Sequence, residues 1–204
     1  MTRRAVQLVV SCVVLGVGIT MLLDAGLGSD GYSTMVNGIH LATGQPFWVM
    51  NLAVSVVFIA LAALRGVRPG LGTVVQMVVV GVTVSVLMPF APDPSSYALR
   101  VAELALAFPV LAIGVAGYLA SKLGAGPAEA AALAWDPPLP FKWSYSVLQL
   151  CGALIGWSLG ADVGIGTVLV VLLIGPLVDL VSRHVFHTAP SAQVTTPVAD
   201  SSVG

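Results

Sequence analysis

Four carboxylates in this chain stand in apolar surroundings with no basic residue three or four positions away: Asp24, Asp30, Glu129 and Asp136. Ionisable groups inside apolar segments are costly to keep, so they mark ion paths, proton relays or ligand contacts. A carboxylate in such a place binds a cation or carries a proton; otherwise it is a solvated loop residue. Asp30 and Glu129 are the stronger pair, because each follows a glycine-rich interruption: Leu27-Gly28-Ser29 before Asp30, and Leu123-Gly124-Ala125-Gly126-Pro127 before Glu129. The other acids have nearer explanations. Asp179 and Arg183 are four apart and Arg100 and Glu103 three apart, so each pair can meet on one helix face. Asp162 reads as the cap of the helix after it, and Asp93 sits in a Pro-Asp-Pro loop. Among neutral polar residues, Asn51, Gln76 and Gln149 read as hydrogen-bonding glue between helices. Asn37 and His40 fall in a short segment, where a lone interfacial histidine is the plainer reading.

The interruptions themselves suggest ligand chemistry. Gly28, Gly31, Gly124 and Gly126 permit backbone bends and close approach. Asp30 suits the N-cap of a following half-helix, and Pro127 suits the first helical position of another. Helix N-termini in a low dielectric favour anions, so the carboxylate or phosphate of a solute is one expectation there. Ordinary interfacial turns with ordinary caps are the other. Two Gly-x-Gly-Thr segments, Gly70, Gly72, Thr73 and Gly164, Gly166, Thr167, read first as close helix packing and second as ligand contact.

The elements that carry these residues are set by composition. The chain has 204 residues, 57% of them apolar and 8% charged. A soluble domain carries about a quarter charged residues, so most of this surface must face lipid. Six apolar stretches approach the length of about 20 residues that a spanning helix needs: roughly 5–23, 47–64, 71–90, 101–121, 143–160 and 164–182. Their continuity, without alternation, argues for an all-α membrane protein rather than a barrel. With the N-terminus inside, Arg3, Arg4, Arg65, Arg68, Lys122, Lys142 and Arg183 lie on the inner side and only Arg100 outside. That bias predicts a multi-pass membrane protein with both termini in the cytoplasm. Trp48 and Trp143, just inside helix starts, fit the interfacial aromatic belt.

The two halves match in order. Gly18–Gly28 aligns with Gly114–Gly124, Pro46-Phe47 with Pro140-Phe141, and Gly70, Gly72, Thr73, Val74 and Gly81 with Gly164, Gly166, Thr167, Val168 and Gly175. Three spans per half is odd, so the second half enters from the opposite side. This predicts two inverted three-helix repeats, residues 1–98 and 99–183, followed by a disordered cytoplasmic tail over 184–204. Half-helices are expected at about 31–43 and 127–136.

Several function classes are excluded or disfavoured. No nucleotide-binding, hydrolase or metalloprotease motif is present, and no cofactor is implied. Cys12 and Cys151 lack metal spacing and read as packing residues. No basic patch points to nucleic acid. Without convergent acid, base and nucleophile groups, an enzyme is not expected.

The motifs resemble small bacterial membrane proteins of the YczE/YyaS type, which are related to YitT-like proteins. The resemblance rests on Gly16-Val17-Gly18-Ile19 with Leu27-Gly28, on Arg68-Pro69-Gly70-Leu71-Gly72-Thr73, on Leu123-Gly124-Ala125-Gly126-Pro127-Ala128-Glu129, and on Gly164-Ile165-Gly166-Thr167 with Gly175-Pro176. The chain departs at the first turn, where the family carries a proline, an aromatic and an acid and this chain has Gly31, Tyr32 and Ser33 after Asp30. At the second, Glu129 stands where the family has Asp. The resemblance implies architecture more than activity, and it carries no catalytic residues. The expectation is a small-solute permease or membrane solute-binding component. A subclass resembles the substrate-binding chains of energy-coupling-factor transporters, which need a partner chain, and a homodimer is also open. The alternative is a non-transporting assembly or regulatory factor.

Overall fold

The structure, a computed structural model, describes residues 2–67, 70–135, 138–139 and 141–187. Arg68, Pro69, Asp136, Pro140 and the tail from 188 lie outside the described residues, and the side chain of Lys142 is not described. The described residues form helices and no strand. These are α1 (Thr2–Ala25), α2 (Gly31–Thr43), α3 (Phe47–Leu64), α4 (Leu71–Leu87), α5 (Tyr97–Ala120), α6 (Pro127–Ala134), α7 (Phe141–Ser158) and α8 (Ile165–His184), with a short 3-10 turn at Met88–Phe90. The two expected half-helices are α2 and α6.

Among the described residues, five segments are long and apolar enough to cross a membrane: Thr2–Ala25, Phe47–Leu64, Leu71–Phe90, Tyr97–Ala120 and Ile165–His184. α7 is not among them, although the sequence suggests a span at 143–160. It has spanning length, but Lys142, Ser144, Tyr145, Ser146 and Gln149 lower the apolarity of its first half. Many large apolar side chains point away from the protein. Val56, Val57, Val86, Leu106 and Leu172 are each more than half exposed, far more apolar surface than a water-soluble monomer shows.

Small residues decide how the helices meet. α1 and α5 run antiparallel. A methyl group added at Gly18 would strike Leu111, one at Gly114 would strike Leu15, and one at Gly117 would strike Ser11. Gln7 Nε2 donates to the Gly117 carbonyl at 3.0 Å along the same seam. α4 packs on the other side of α1, and α8 on α5. α2 lies along α7 with its backbone nearly touching: added methyls at Gly31 and Gly38 would overlap the backbone at Gln149 and Gly156. α6 lies along α3, where Ala62 packs with Ala130 and Ala134. Arg65 Nε donates to the Ala134 carbonyl at 3.2 Å, and its guanidinium lies 5.0 Å from the Trp135 ring centre. Apolar helices gain little by hiding from lipid, so this close contact supplies much of their association.

The breaks after α1 and α5 dock on the starts of α8 and α4. Gly28 (φ 97°) and Gly124 (φ 136°) adopt left-handed backbone that residues with a Cβ rarely take. The Gly72 amide donates to the Leu123 carbonyl, and the Gly166 amide to the Leu27 carbonyl, both at 2.8 Å. Thr73 Oγ1 donates to the Ala125 carbonyl at 2.6 Å and accepts from the Gly70 amide at 3.3 Å.

Two sequence expectations are corrected. Asp162 does not cap α8; Gly164 holds that position. Arg100 does not pair with Glu103. It reaches back to Asp93 at 3.9 Å and to the Pro94 carbonyl at 3.2 Å, because the loop before α5 folds over the helix end and offers nearer acceptors. Asp179 and Arg183 do pair, at 2.9 Å.

Candidate functional site

Asp30 and Glu129, one from each half of the chain, line the same cavity of about 110 Å³ in the centre of the bundle. Each is placed by a helix start. Asp30 is the N-cap of α2, extended at φ −61° and ψ 153°, and its Oδ2 accepts from the Ser33 amide at 3.0 Å. Such a cap is worth about 1 kcal/mol. Glu129 is the third residue of α6, which opens on Pro127 as expected. Both residues are half-buried, and both line the cavity.

Polar residues from four other helices complete the walls. Tyr32, on α2, ties three elements together. Its amide donates to Gln149 Oε1 at 3.0 Å, and its hydroxyl meets Ser55 Oγ at 2.7 Å and donates to Asn51 Oδ1 at 3.1 Å. Asn51 Nδ2 in turn donates to the Met77 carbonyl at 2.6 Å, and Gln149 Nε2 donates to Tyr145 Oη at 2.9 Å. Asn51 and Gln149 therefore join helices, as their types suggest. Gln76 differs: it is 8% exposed, it crowds against Glu129 beside Gly126, and its Oε1 has no protein hydrogen-bond partner. Tyr118 is 1% exposed. Its hydroxyl faces Glu129 but makes no well-formed hydrogen bond.

The charge of this site is one-sided. Its walls carry two carboxyl groups, three tyrosines (Tyr32, Tyr118, Tyr145) and a set of apolar side chains including Leu15, Leu111 and Val170. No Lys, Arg or His is among the described lining residues. The helix starts that could have held a solute's carboxylate or phosphate already carry the chain's own acids. The arrangement therefore suits a cation or a proton rather than an anion.

The remaining expected site residues fall into two groups. Pro127 lines the cavity. Gly126 borders it, since a methyl there would overlap Gln76 and Glu129, while Gly31 faces the α7 backbone instead. Gly28, Gly124, Gly70, Gly72, Gly164 and Gly166 sit at the two docked breaks, and so does Thr73. Thr167 Oγ1 lies against Gly28, buried without a partner. Asp24 belongs to a separate acidic group at one end of the bundle: its Oδ1 accepts from the Asp93 amide at 3.3 Å, and Glu103 lies beside it. His40 Nδ1 bonds the Gln45 carbonyl at 2.5 Å, away from the cavity. Tyr118 and Tyr145 are site residues that sequence reading did not single out, and Gln76 was read only as glue between helices. An aromatic or amide in an apolar helix is common, and only the fold shows which ones converge.

A sequence family described as a family of unknown function, DUF6198, matches residues 2–183. An uncharacterised protein of Haemophilus influenzae is 29% identical over 172 residues, covering 81% of this chain and 77% of that protein. The uncharacterised membrane protein YczE of Bacillus subtilis is 26% identical over 113 residues, covering 52% of this chain and 51% of YczE. No solved structure matches the chain.

Proposed function

The chain belongs to the DUF6198 family of unknown function, so its activity must be sought in its own geometry, and we propose that it is a small-solute permease of the bacterial cytoplasmic membrane. The observation that carries this reading is the central cavity, lined by Asp30 from the first half and Glu129 from the second. In transporters built from inverted repeats, the substrate site lies near the midplane between the repeats and is made from interrupted helices.

The packing supports the same reading. α1 and α5, the equivalent first helices, are antiparallel. α2 against α7 has its counterpart in α6 against α3, and α1 against α4 in α5 against α8. The Gly72–Leu123 and Gly166–Leu27 bonds are likewise counterparts, of equal length. On this reading α7 is the sixth span, with its polar residues turned to the cavity and to α2. Residues 1–98 and 99–183 rock against each other to open the site to either side, and both termini are cytoplasmic. The basic residues Arg3, Arg4, Arg65, Lys122 and Arg183 on that side support the orientation.

The test is reconstitution of the purified chain in liposomes, with uptake of radiolabelled small amines, amino acids and organic acids. Saturable uptake of at least one class, lost in the Glu129→Gln protein, is the expected result. Folded protein that moves none of them and is unchanged by Asp30→Asn or Glu129→Gln would replace this reading with the non-transporting membrane factor.

A further inference from the structure

The central cavity has a chemistry specific enough to name its ligand class. We propose that it binds a small protonated amine, held between Asp30 and Glu129, with Tyr32, Tyr118 and Tyr145 around it. The inference rests on the permease reading for its physiological meaning, but the binding itself stands on four separate observations.

The first is charge. Two carboxyl groups face a cavity whose described lining residues include no Lys, Arg or His. Buried charge without a partner is too costly to persist unless a cation or protons neutralise it. An anionic solute would add to the imbalance. A neutral one would leave it.

The second is the unused hydrogen-bonding capacity. Gln76 Oε1 is buried without a hydrogen-bond partner and Tyr118 Oη, which faces Glu129, without a well-formed one, and both side chains line the cavity beside Glu129. Buried polar atoms are almost always bonded. A ligand with N–H donors satisfies Gln76, Tyr118 and the carboxylates together. A quaternary ammonium has the charge but no donor, and leaves these atoms unpaired.

The third is the aromatic content. Three tyrosines among the lining residues supply polarisable ring surface, which attracts cations within about 6 Å of a ring centre. The fourth is size. An apolar cavity of about 150 Å³ accommodates benzene. The present cavity of about 110 Å³ therefore fits roughly four or five non-hydrogen atoms. Ethanolammonium, with four such atoms, is of that size, and ethylammonium, with three, also enters. The field at one end of the bundle agrees, since Asp24, Asp93, Glu103 and Asp162 gather there around a single arginine, Arg100. Acidic groups there raise the concentration of cations near that end.

The experiment is binding by the purified full chain in detergent, read by thermal unfolding and calorimetry. The probes are ethylammonium, ethanolammonium, tetramethylammonium, acetate and ethanol. The expected result is stabilisation by the two primary ammonium ions and little or none by the other three. Glu129→Gln should weaken ethylammonium binding on the order of thirtyfold or more, as loss of a buried charge partner does. If that variant does not fold, Tyr118→Phe and Asp30→Asn serve in its place, and each should weaken binding while the unliganded protein stays folded. Stabilisation by acetate, equal stabilisation by tetramethylammonium, or primary-amine binding indifferent to all three variants would overturn the proposal. Amine binding without uptake into liposomes would sink the permease reading alone. Site-dependent uptake of an anion with no amine binding would sink the ligand class alone.

Discussion

The Gly166 amide donates to the Leu27 carbonyl at 2.8 Å, fastening the first turn of α8 to the break that follows α1. Its counterpart joins Gly72 to Leu123 at the same distance. These two bonds hold the segments that position Asp30 and Glu129. They need backbone approach that only glycine allows: a methyl at Gly166 would overlap the Gly28 carbonyl, and one at Gly72 would lie 2.8 Å from the Leu123 carbonyl carbon.

Gly166→Ala and Gly72→Ala should therefore each destabilise the protein by about 1–3 kcal/mol, the usual cost of overpacking. Gly175→Ala is the control. Nothing lies within 4 Å of a methyl there and its φ is ordinary, so no loss is expected, and helix propensity favours Ala by up to about 1 kcal/mol. Thermal unfolding in detergent measures all three. Equal behaviour of Gly166→Ala and Gly175→Ala would refute this account of the docked breaks.

Asp30 has two separable roles. As a cap it accepts from the Ser33 amide, and Asn caps about as well as Asp. Asp30→Asn should leave stability within about 0.5 kcal/mol, whereas Asp30→Ala should lose about 1 kcal/mol. Both should lose amine binding, because both remove the charge. Retained binding in Asp30→Asn would show that the cap is the whole function of this residue.

Tyr32→Phe tests the hydrogen-bond cluster that shapes one wall. The hydroxyl meets Ser55 at 2.7 Å and Asn51 at 3.1 Å, and Ser55 is fully buried. Removing it should cost about 1–3 kcal/mol, since a buried partner is left unsatisfied. Ser55→Ala in the same background should restore part of that loss. An additive double mutant would mean that the two groups do not depend on each other.

Amine binding should weaken as the medium is acidified. The cation needs ionised carboxylates, and protons compete for Asp30 and Glu129. The titratable groups lining the cavity with them are Tyr32, Tyr118 and Tyr145, and no basic side chain is among the described lining residues to reverse the sign. Affinity measured by calorimetry should rise with pH through the range where the carboxyls ionise. Affinity that is flat or falls with pH would place the bound cation elsewhere.

Much of the architecture was legible in the chain. Long apolar runs in a chain 8% charged can only be lipid-facing helices, because lipid offers the backbone no partners. The half-helices were readable too, since Asp30 and Pro127 are local start signals and local chemistry sets them. α7 was the least legible helix, because its polar face serves contacts with α2 and with the cavity that lie far away in sequence. The pairing of Arg100 with Asp93 rather than Glu103 had the same cause: spacing along a helix says who can meet, and a folded-back loop decided who did.

The glycines show where sequence stops. Gly81 and Gly175 occupy matching positions in the two halves, yet a methyl at Gly81 would lie 2.8 Å from Asn51 Nδ2 while one at Gly175 would meet nothing. Composition, five of the six spans, the starts of α2 and α6 and the two carboxylates follow from the sequence by itself, because each depends on local chemistry and on the solvent a segment needs. Which glycines are indispensable, and that Asp30, Glu129, Gln76 and Tyr118 face one cavity, were decided by the tertiary structure, because both depend on distances between segments with no fixed relation along the chain.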